Sequence, residues 1–101
     1  MTAYLIVRAE VAEADRSAFD RWYETEHLPE AKTLFRAKTA CRGWSDVEPG
    51  IHIAIYEFPD LEQARQVLAS DEIKKLIAEF DRVWQGRVQR SRDVMDVIQI
   101  V

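Results

Sequence analysis

The apolar residues of this chain fall either into short runs or into longer stretches with helical spacing. Four short runs rich in β-forming residues predict strands, at residues 3–9, 40–47, 51–58 and 94–101. The run at 51–58 is the strongest of the four. Between the second and third runs, Glu48-Pro49-Gly50 predicts a tight turn, so these two strands should form a hairpin.

The first helical stretch carries aromatic side chains along one side. Phe19, Trp22 and Tyr23 stand at helical spacing after Asp15, which is the predicted N-cap. A proline disfavours helical geometry in the residue before it, so the helix is predicted to end or kink just before Pro29. One or two further helical turns should follow.

The second helical stretch contains two start signals. Asp60, with Gln63 three residues later, predicts a capping box at the first of them. Ser70 opens the second helix, whose apolar face extends to Trp84, and Gly86 predicts its C-terminal end.

The order of these elements is strand, helix, strand, strand, helix, strand. This order is typical of the ferredoxin-like βαββαβ arrangement, an α+β fold with a four-stranded antiparallel sheet. One domain should span residues 1–101. The first and third strands are the most apolar, so they should be the two central strands, with the helices covering one face of the sheet.

Side chains alternate along a strand, so each strand contributes to both faces of the sheet. We expect Ile51, Ile53 and Ile55 to lie under the helices together with Leu5 and Val7. The opposite, open face would then carry a mixed set: Tyr4, Ile6, Arg8, His52, Ala54, Tyr56 and Phe58. This face is too apolar to remain in water. A second copy of the sheet would cover it, giving a homodimer whose interface either encloses a small-molecule cavity or is packed solid.

Composition and charge exclude several classes of protein. The chain has 14 basic and 18 acidic side chains, a net charge of −4, and its one arginine-rich segment (residues 82–92) is interleaved with aspartates, as in a solvated rim. Nucleic acid is therefore not an expected partner. No apolar run is long enough for a membrane span. With no signal peptide and a single cysteine, the expected compartment is the cytoplasm.

No sequence pattern indicates a metal or another cofactor. The two histidines, His27 and His52, lack the spacing of a metal-binding pair, and the three glycines are too dispersed for a phosphate-binding loop.

The segment Phe19-Asp20-Arg21-Trp22-Tyr23-Glu24-Thr25-Glu26-His27-Leu28-Pro29 resembles a motif of the dimeric α+β barrel superfamily, especially its EthD-like branch. That superfamily also includes antibiotic-biosynthesis monooxygenases and muconolactone-isomerase-like proteins. The strand at 51–58 and the helix after it are similar to the corresponding elements of these families. The second strand departs from the family pattern, since it reads Cys41-Arg42-Gly43-Trp44.

The resemblance implies two sheets that pair into a dimeric α+β barrel, with a pocket between sheet and helices. It also implies action on small aromatic, polyketide-like or lactone-type molecules without metal or flavin. Fold analogy alone does not assign a reaction.

His27 is the first candidate for a catalytic residue. Histidine exchanges protons near neutral pH, and a position near a helix C-terminus, with glutamates close by, favours its protonated form. Tyr23, one turn earlier, could supply a hydroxyl donor. The alternative is that His27 only caps the helix end.

The candidate substrate-binding residues are Tyr4, Arg8, Trp22, Trp44, His52 and Tyr56. Arg8 could hold an anionic group, as could Arg42. Several have a structural alternative: Trp22 as core, His52 as a rim residue, and the arginines as solvated or salt-bridged side chains. Cys41 is expected to be an unreactive thiol.

Three functional hypotheses follow from the sequence. The first is an enzyme that uses proton transfer or cofactor-independent oxygenation on a small aromatic or cyclic oxygenated metabolite. The second is a non-catalytic protein that binds a small hydrophobic molecule, or haem through His27 or His52. The third is a domain whose sheet face serves assembly alone.

Overall fold

The apolar runs form strands and the amphipathic stretches form helices in the computed structural model, which describes residues 2–101. The strands are β1 (Ala3–Val11), β2 (Thr39–Trp44), β3 (Ile51–Phe58) and β4 (Val88–Asp96). The helices are α1 (Arg16–Trp22), α2 (Leu28–Phe35), α3 (Leu61–Leu68) and α4 (Asp71–Trp84). A 3₁₀ turn (Glu13–Asp15) precedes α1, and a π-helical turn (Tyr23–His27) joins α1 to α2.

All strand pairings are antiparallel, in the order β2-β3-β1-β4. The prediction of a four-stranded ferredoxin-like α+β sheet with β1 and β3 at its centre is therefore confirmed. The predicted hairpin joins β2 to β3, and Gly50 in its loop adopts φ +82°, a backbone conformation that favours glycine. None of the helices within residues 2–101 is long and apolar enough to cross a membrane.

The predicted helix starts of the second half are present. The Asp60 carboxylate accepts a hydrogen bond from the backbone N–H of Gln63 at 2.9 Å, and the Ser70 hydroxyl accepts one from Ile73 at 3.2 Å. Each of these bonds satisfies an N–H group that the first turn of a helix leaves without a partner. Past the end of α4, Gly86 adopts φ +77°.

The predicted bounds of three strands were wrong. β1 continues past residue 9 to Val11. β4 begins at Val88, six residues before the apolar run, and ends at Asp96. Its first half is polar but forms a complete ladder with β1, from Val88 opposite Val11 to Asp96 opposite Ala3. β2 ends at Trp44 instead of continuing to residue 47.

The predicted faces of β3 were inverted. Leu5 pairs with Tyr56 and Val7 with Ala54, so these residues share the helix-covered face, which also carries the buried His52 and Phe58. Ile53 and Ile55 instead lie opposite Arg8 and Ile6 on the open face. Both alternating sets of β3 are apolar enough for a core, and the larger rings occupy the side where the helices supply packing partners.

The first helical region does not end at Pro29. Leu28 is in the right-handed helical conformation, and the chain remains helical from Arg16 to Phe35. The N–H of Leu28 bonds to the carbonyl of Tyr23, five residues earlier, so the π-helical turn lies directly before the proline. Pro29 follows as the second residue of α2, so the wider turn before it, and not a free helix start, accommodates its ring and its missing N–H.

Candidate active site

A small cavity lies between the sheet and α4. Its volume is about 30 Å³, which is room for about two water molecules. Its polar lining consists of Tyr23, His27, Tyr56, Arg90 and Arg92. Its apolar lining consists of Leu5, Val7, Phe35, Ile73, Leu76, Ile77 and Phe80.

The π-helical turn determines what surrounds His27. In an α-helix, residues five apart point about 140° away from each other, so their side chains do not meet. Here the wider turn stacks the imidazole of His27 on the Trp22 ring, at 4.7 Å between centroids and 20° between planes. The edges of Tyr23 and Phe80 close the remaining sides, at 4.8 and 5.7 Å.

His27 is buried without a hydrogen-bond partner. Only 8% of the residue is exposed, and its Nδ1 atom has no partner among the residues that the structure describes. Burial lowers the pKa of His27 to about 4, with further contributions from Arg90, His52 and Arg92. The expectation that the helix end and nearby glutamates favour the protonated form was wrong, because loss of solvent outweighs them. At neutral pH the ring is uncharged.

Two tyrosine hydroxyls belong to the same cavity. Burial raises the pKa of both Tyr23 and Tyr56, and a hydrogen bond between the two side chains lowers the pKa of the first and raises that of the second. Both phenols therefore remain protonated at neutral pH. Tyr56 donates to Tyr23 in this bond, so the O–H of Tyr23 is the one free to donate to a negatively charged oxygen, and neither phenol acts as a base there.

A second polar group lies behind Tyr23. The Nη1 atom of Arg42 donates to the Asp20 carboxylate at 2.8 Å. The same atom lies 3.3 Å from Nε2 of His52. Arginine has no acceptor, so Nε2 is the acceptor and His52 is neutral with its proton on Nδ1. The indole N–H of Trp44 donates to the same Asp20 oxygen at 2.9 Å.

His52 supports the site without lining it. It is 1% exposed, and its ring packs against Tyr23, Phe19 and Trp44, with centroids at 4.4, 5.1 and 5.0 Å. Burial, and then the Arg42 charge, lower the pKa of His52 to about 4. The histidine thus holds Tyr23 from the side away from the cavity.

The two buried histidines predict a loss of stability in mild acid. Their native pKa values of about 4 lie below the ordinary value of 6.5, so the unfolded chain binds more protons between these limits. The free energy of unfolding should therefore fall as the pH drops from 6.5 to 4, by about 3 kcal/mol for each histidine. Urea denaturation at a series of pH values from 7 to 4 measures this fall in the free energy of unfolding. The lowered pKa of Asp20 acts only below this window, so a flat profile between pH 6.5 and 4.5 would contradict buried neutral histidines.

The structure brings together only some of the residues that the sequence singled out. Tyr23, His27 and Tyr56 line the cavity, and Trp22 is stacked on the histidine. Tyr56 was expected at the open face but lies under the helices.

The other predicted residues lie away from the cavity. His52 and Trp44 form the group behind Tyr23. Tyr4 and Arg8 are on the opposite face of the sheet, and Arg8 is paired with Glu48 at 3.3 Å. Arg8 lies on the open face, as predicted, so it does not reach this cavity, and its role as an anion anchor stays a prediction.

Sequence reasoning missed the two arginines of the cavity. Arg90 and Arg92 had been interpreted as a solvated rim, but they stand opposite Ala9 and Val7 on the helix-covered face. No local signal marks these two positions, because their face depends on the true start of β4 and on its register with β1.

Comparisons with known proteins find similar structures but no matching family. No family model and no curated protein match the chain. An ethyl tert-butyl ether D (EthD) family protein from Bacillus halodurans C-125 superposes with a TM-score of 0.75 at 19% identity, over 97% of this chain and 100% of its own.

Two further solved structures are similar over nearly the full chain. SnoaB, a cofactor-independent oxygenase from Streptomyces nogalater, gives a TM-score of 0.67 at 12% identity, covering 99% of this chain and 96% of its own. A putative antibiotic biosynthesis monooxygenase from Deinococcus radiodurans gives a TM-score of 0.68 at 9% identity, covering 98% of this chain and 95% of its own. At these identities the similarity establishes the fold, the ferredoxin-like α+β arrangement of these proteins.

Proposed function

We propose that this protein is a homodimeric, cofactor-independent enzyme that transfers protons on a small aromatic or cyclic oxygenated metabolite, as an isomerase or as an oxygenase. The observation that carries the proposal is the unpaired Nδ1 of the buried His27, a residue that lines one cavity together with Tyr23 and Tyr56. A buried polar atom without a partner costs stability. It is therefore expected where a ligand completes the hydrogen bond.

The residues of the cavity suit removal of a proton next to a carbonyl or phenol. The neutral imidazole of His27 takes the proton at Nδ1, and the electron pair moves to the substrate oxygen. The hydroxyl of Tyr23, which accepts a hydrogen bond from Tyr56, then donates one to the developing oxyanion. Return of the proton to another carbon completes an isomerisation. Addition of dioxygen to the carbanion, protonation, and loss of water from the hydroperoxide would turn a CH₂ group into a ketone.

The cavity must widen to admit such a substrate. A cavity that holds benzene measures about 150 Å³, against about 30 Å³ here. Besides Val7 on β1, the lining residues that keep contact with solvent are Ile77, Arg90 and Arg92. Outward movement of these side chains opens the cavity between α4 and β4.

A turnover assay tests the proposal directly. Protein treated with a chelator is offered polycyclic phenols and unsaturated lactones, with oxygen uptake and absorbance spectra as readouts. Conversion without added metal or flavin, dependent on His27, supports an enzyme. A ligand that raises the melting temperature but is never converted would instead indicate a binding protein.

The proposed dimer forms through the open face of the sheet. Its centre is apolar, with Tyr4, Ile6, Ile53 and Ile55 partly exposed and Met95 at 47% exposure. Arg8 and Thr39 make polar contacts towards opposite ends, to Glu48 and Glu57. A continuous apolar patch with a polar border is the usual appearance of a subunit interface.

Introducing a charge into this patch should produce a monomer. Ile6→Asp buries a carboxylate between the two sheets, so we expect the variant to elute at half the mass of the wild type in size-exclusion chromatography with light scattering. Leu68→Asp, on α3 and 38% exposed, is the matched control and should remain dimeric. A monomeric wild type, or an Ile6→Asp dimer, would contradict the interface.

Cys41 gives an independent measure of the same interface. It is a free, exposed thiol opposite Ile55 on the open face. In the dimer it should react with a thiol reagent more slowly than in Ile6→Asp. We also propose that the protein resides in the cytoplasm, a reducing compartment in which a free thiol such as that of Cys41 persists.

A further inference from the structure

Two arginines of β4 point to the kind of ligand that the cavity takes. Arg90 and Arg92 stand two residues apart, so both side chains lie on the helix-covered face. Both line the cavity together with His27 and the two tyrosines. The guanidinium of Arg90 requires an explanation, because it is largely withdrawn from water and charges are costly to bury, whereas Arg92 remains exposed to solvent.

Arg90 is held in a fixed position. Its guanidinium carbon lies over the Phe80 ring, 3.8 Å from the ring centroid. Its Nη2 atom donates a hydrogen bond to the Asp81 carboxylate at 3.0 Å. Its side chain is only 12% exposed. The remaining N–H groups stay available beside the cavity, since Asp81 accepts from one nitrogen only.

Arg92 has no counter-charge of its own. Within residues 2–101, no carboxylate lies within ion-pair distance of its guanidinium. Asp81 therefore offsets one of the two positive charges, and the cavity retains the other.

The hydrogen-bonding groups of the cavity are almost all donors. The guanidinium N–H groups of Arg90 and Arg92 and the hydroxyl of Tyr23 can donate, since the hydroxyl of Tyr56 already donates to Tyr23, and Nδ1 of His27 can accept. A ligand with a negatively charged oxygen has the matching character, since it accepts hydrogen bonds and supplies the missing charge.

We propose, on the basis of the proposed function, that the cavity binds its substrate through an anionic oxygen group, of which a carboxylate is the simplest, held by Arg90 and Arg92. The anion lies next to His27 and offsets the arginine charges that face the histidine. Because the bound anion offsets these positive charges, substrate binding raises the pKa of His27. The imidazole is then a stronger base in the complex than in the free protein. The charged or titratable groups around His27 are Tyr23 on its own helical turn, His52 on β3, Glu79 on α4, and Arg90 and Arg92 on β4.

Formate is the probe of choice, because it is the smallest carboxylate, and formamide is its uncharged counterpart. The ring resonances of His27 in isotope-labelled protein are followed by NMR at constant ionic strength. Formate should shift them to saturation, whereas formamide should not. In Arg92→Gln the dissociation constant for formate should rise about tenfold or more, with an intermediate rise in Arg92→Lys. Arg65→Gln on α3 removes the same charge far from the cavity and should bind as the wild type does.

Equal responses to formate and formamide, or wild-type affinity in Arg92→Gln, would overturn the inference. The spectrum of each variant shows at the same time whether it is folded. Because binding of formate requires no turnover, the anion site and the proposed enzymatic function can each be contradicted without the other. Arg92-dependent binding without any conversion contradicts only the proposed function. A His27-dependent enzyme that ignores formate contradicts only the anion site.

Discussion

Replacing His27 with glutamine is expected to lower kcat/KM about 10²- to 10⁴-fold for any substrate that the wild type converts. Glutamine keeps a polar side chain of similar size next to Trp22 but cannot take up a proton. Steady-state kinetics measures the loss, and circular dichroism together with light scattering shows whether fold and assembly are retained. The acid limb of the wild-type profile should lie near pH 4, where His27 becomes protonated in the free enzyme.

The second buried histidine is the control for this substitution. His52→Gln makes the same change at an equally buried ring that does not line the cavity. We expect it to reduce stability and to change kcat/KM less than tenfold in the folded fraction. Equal losses in both variants, or turnover that survives His27→Gln, would remove His27 from the chemistry.

Truncating Phe19 to alanine is expected to reduce the free energy of unfolding by about 3–5 kcal/mol. Phe19 is 0% exposed and lies at the centre of the aromatic cluster between α1, β3 and α4. Its ring contacts six others at centroid distances of 5.1 to 6.3 Å: Trp22, Tyr23, Trp44, His52, Phe80 and Trp84. Rings surrounded in this way cannot collapse into the space that the mutation leaves.

Urea denaturation at pH 7 measures this loss, and Phe19→Leu is the graded control. Leucine fills most of the space, so its cost should be clearly smaller than that of alanine. A cost below about 1 kcal/mol for Phe19→Ala would mean that the cluster repacks. In that case the cluster could not hold Tyr23 and His27 in place.

The fold could be predicted because its local signals agree with one another. Asp60 and Ser70 begin helices where their side chains can cap, and Pro49-Gly50 joins two strands. What local signals could not determine was the face of β3. Its isoleucines and its aromatic residues both qualify for a core, and the decision depends on partners in distant segments, such as Arg42 for His52.

The candidate site was predicted only where its residues are neighbours in sequence. Tyr23 and His27 belong to one helical segment and could be found together. Arg90 and Arg92 lie more than 60 residues further on, and their place at the cavity depends on the register of β4 with β1. A charged residue on an edge strand gives no local sign of which face it occupies.

The π-helical turn also affects how this chain is to be compared with others. Such a turn holds one residue more than a turn of α-helix does. Over this segment, a relative with an uninterrupted α-helix would be one residue shorter than Tyr23–His27. Its equivalent of His27 would then stand four residues, not five, after its equivalent of Trp22. An alignment of this helix is therefore correct only if it allows a one-residue gap between the tryptophan and the histidine, and a search with fixed spacing would pass over such relatives.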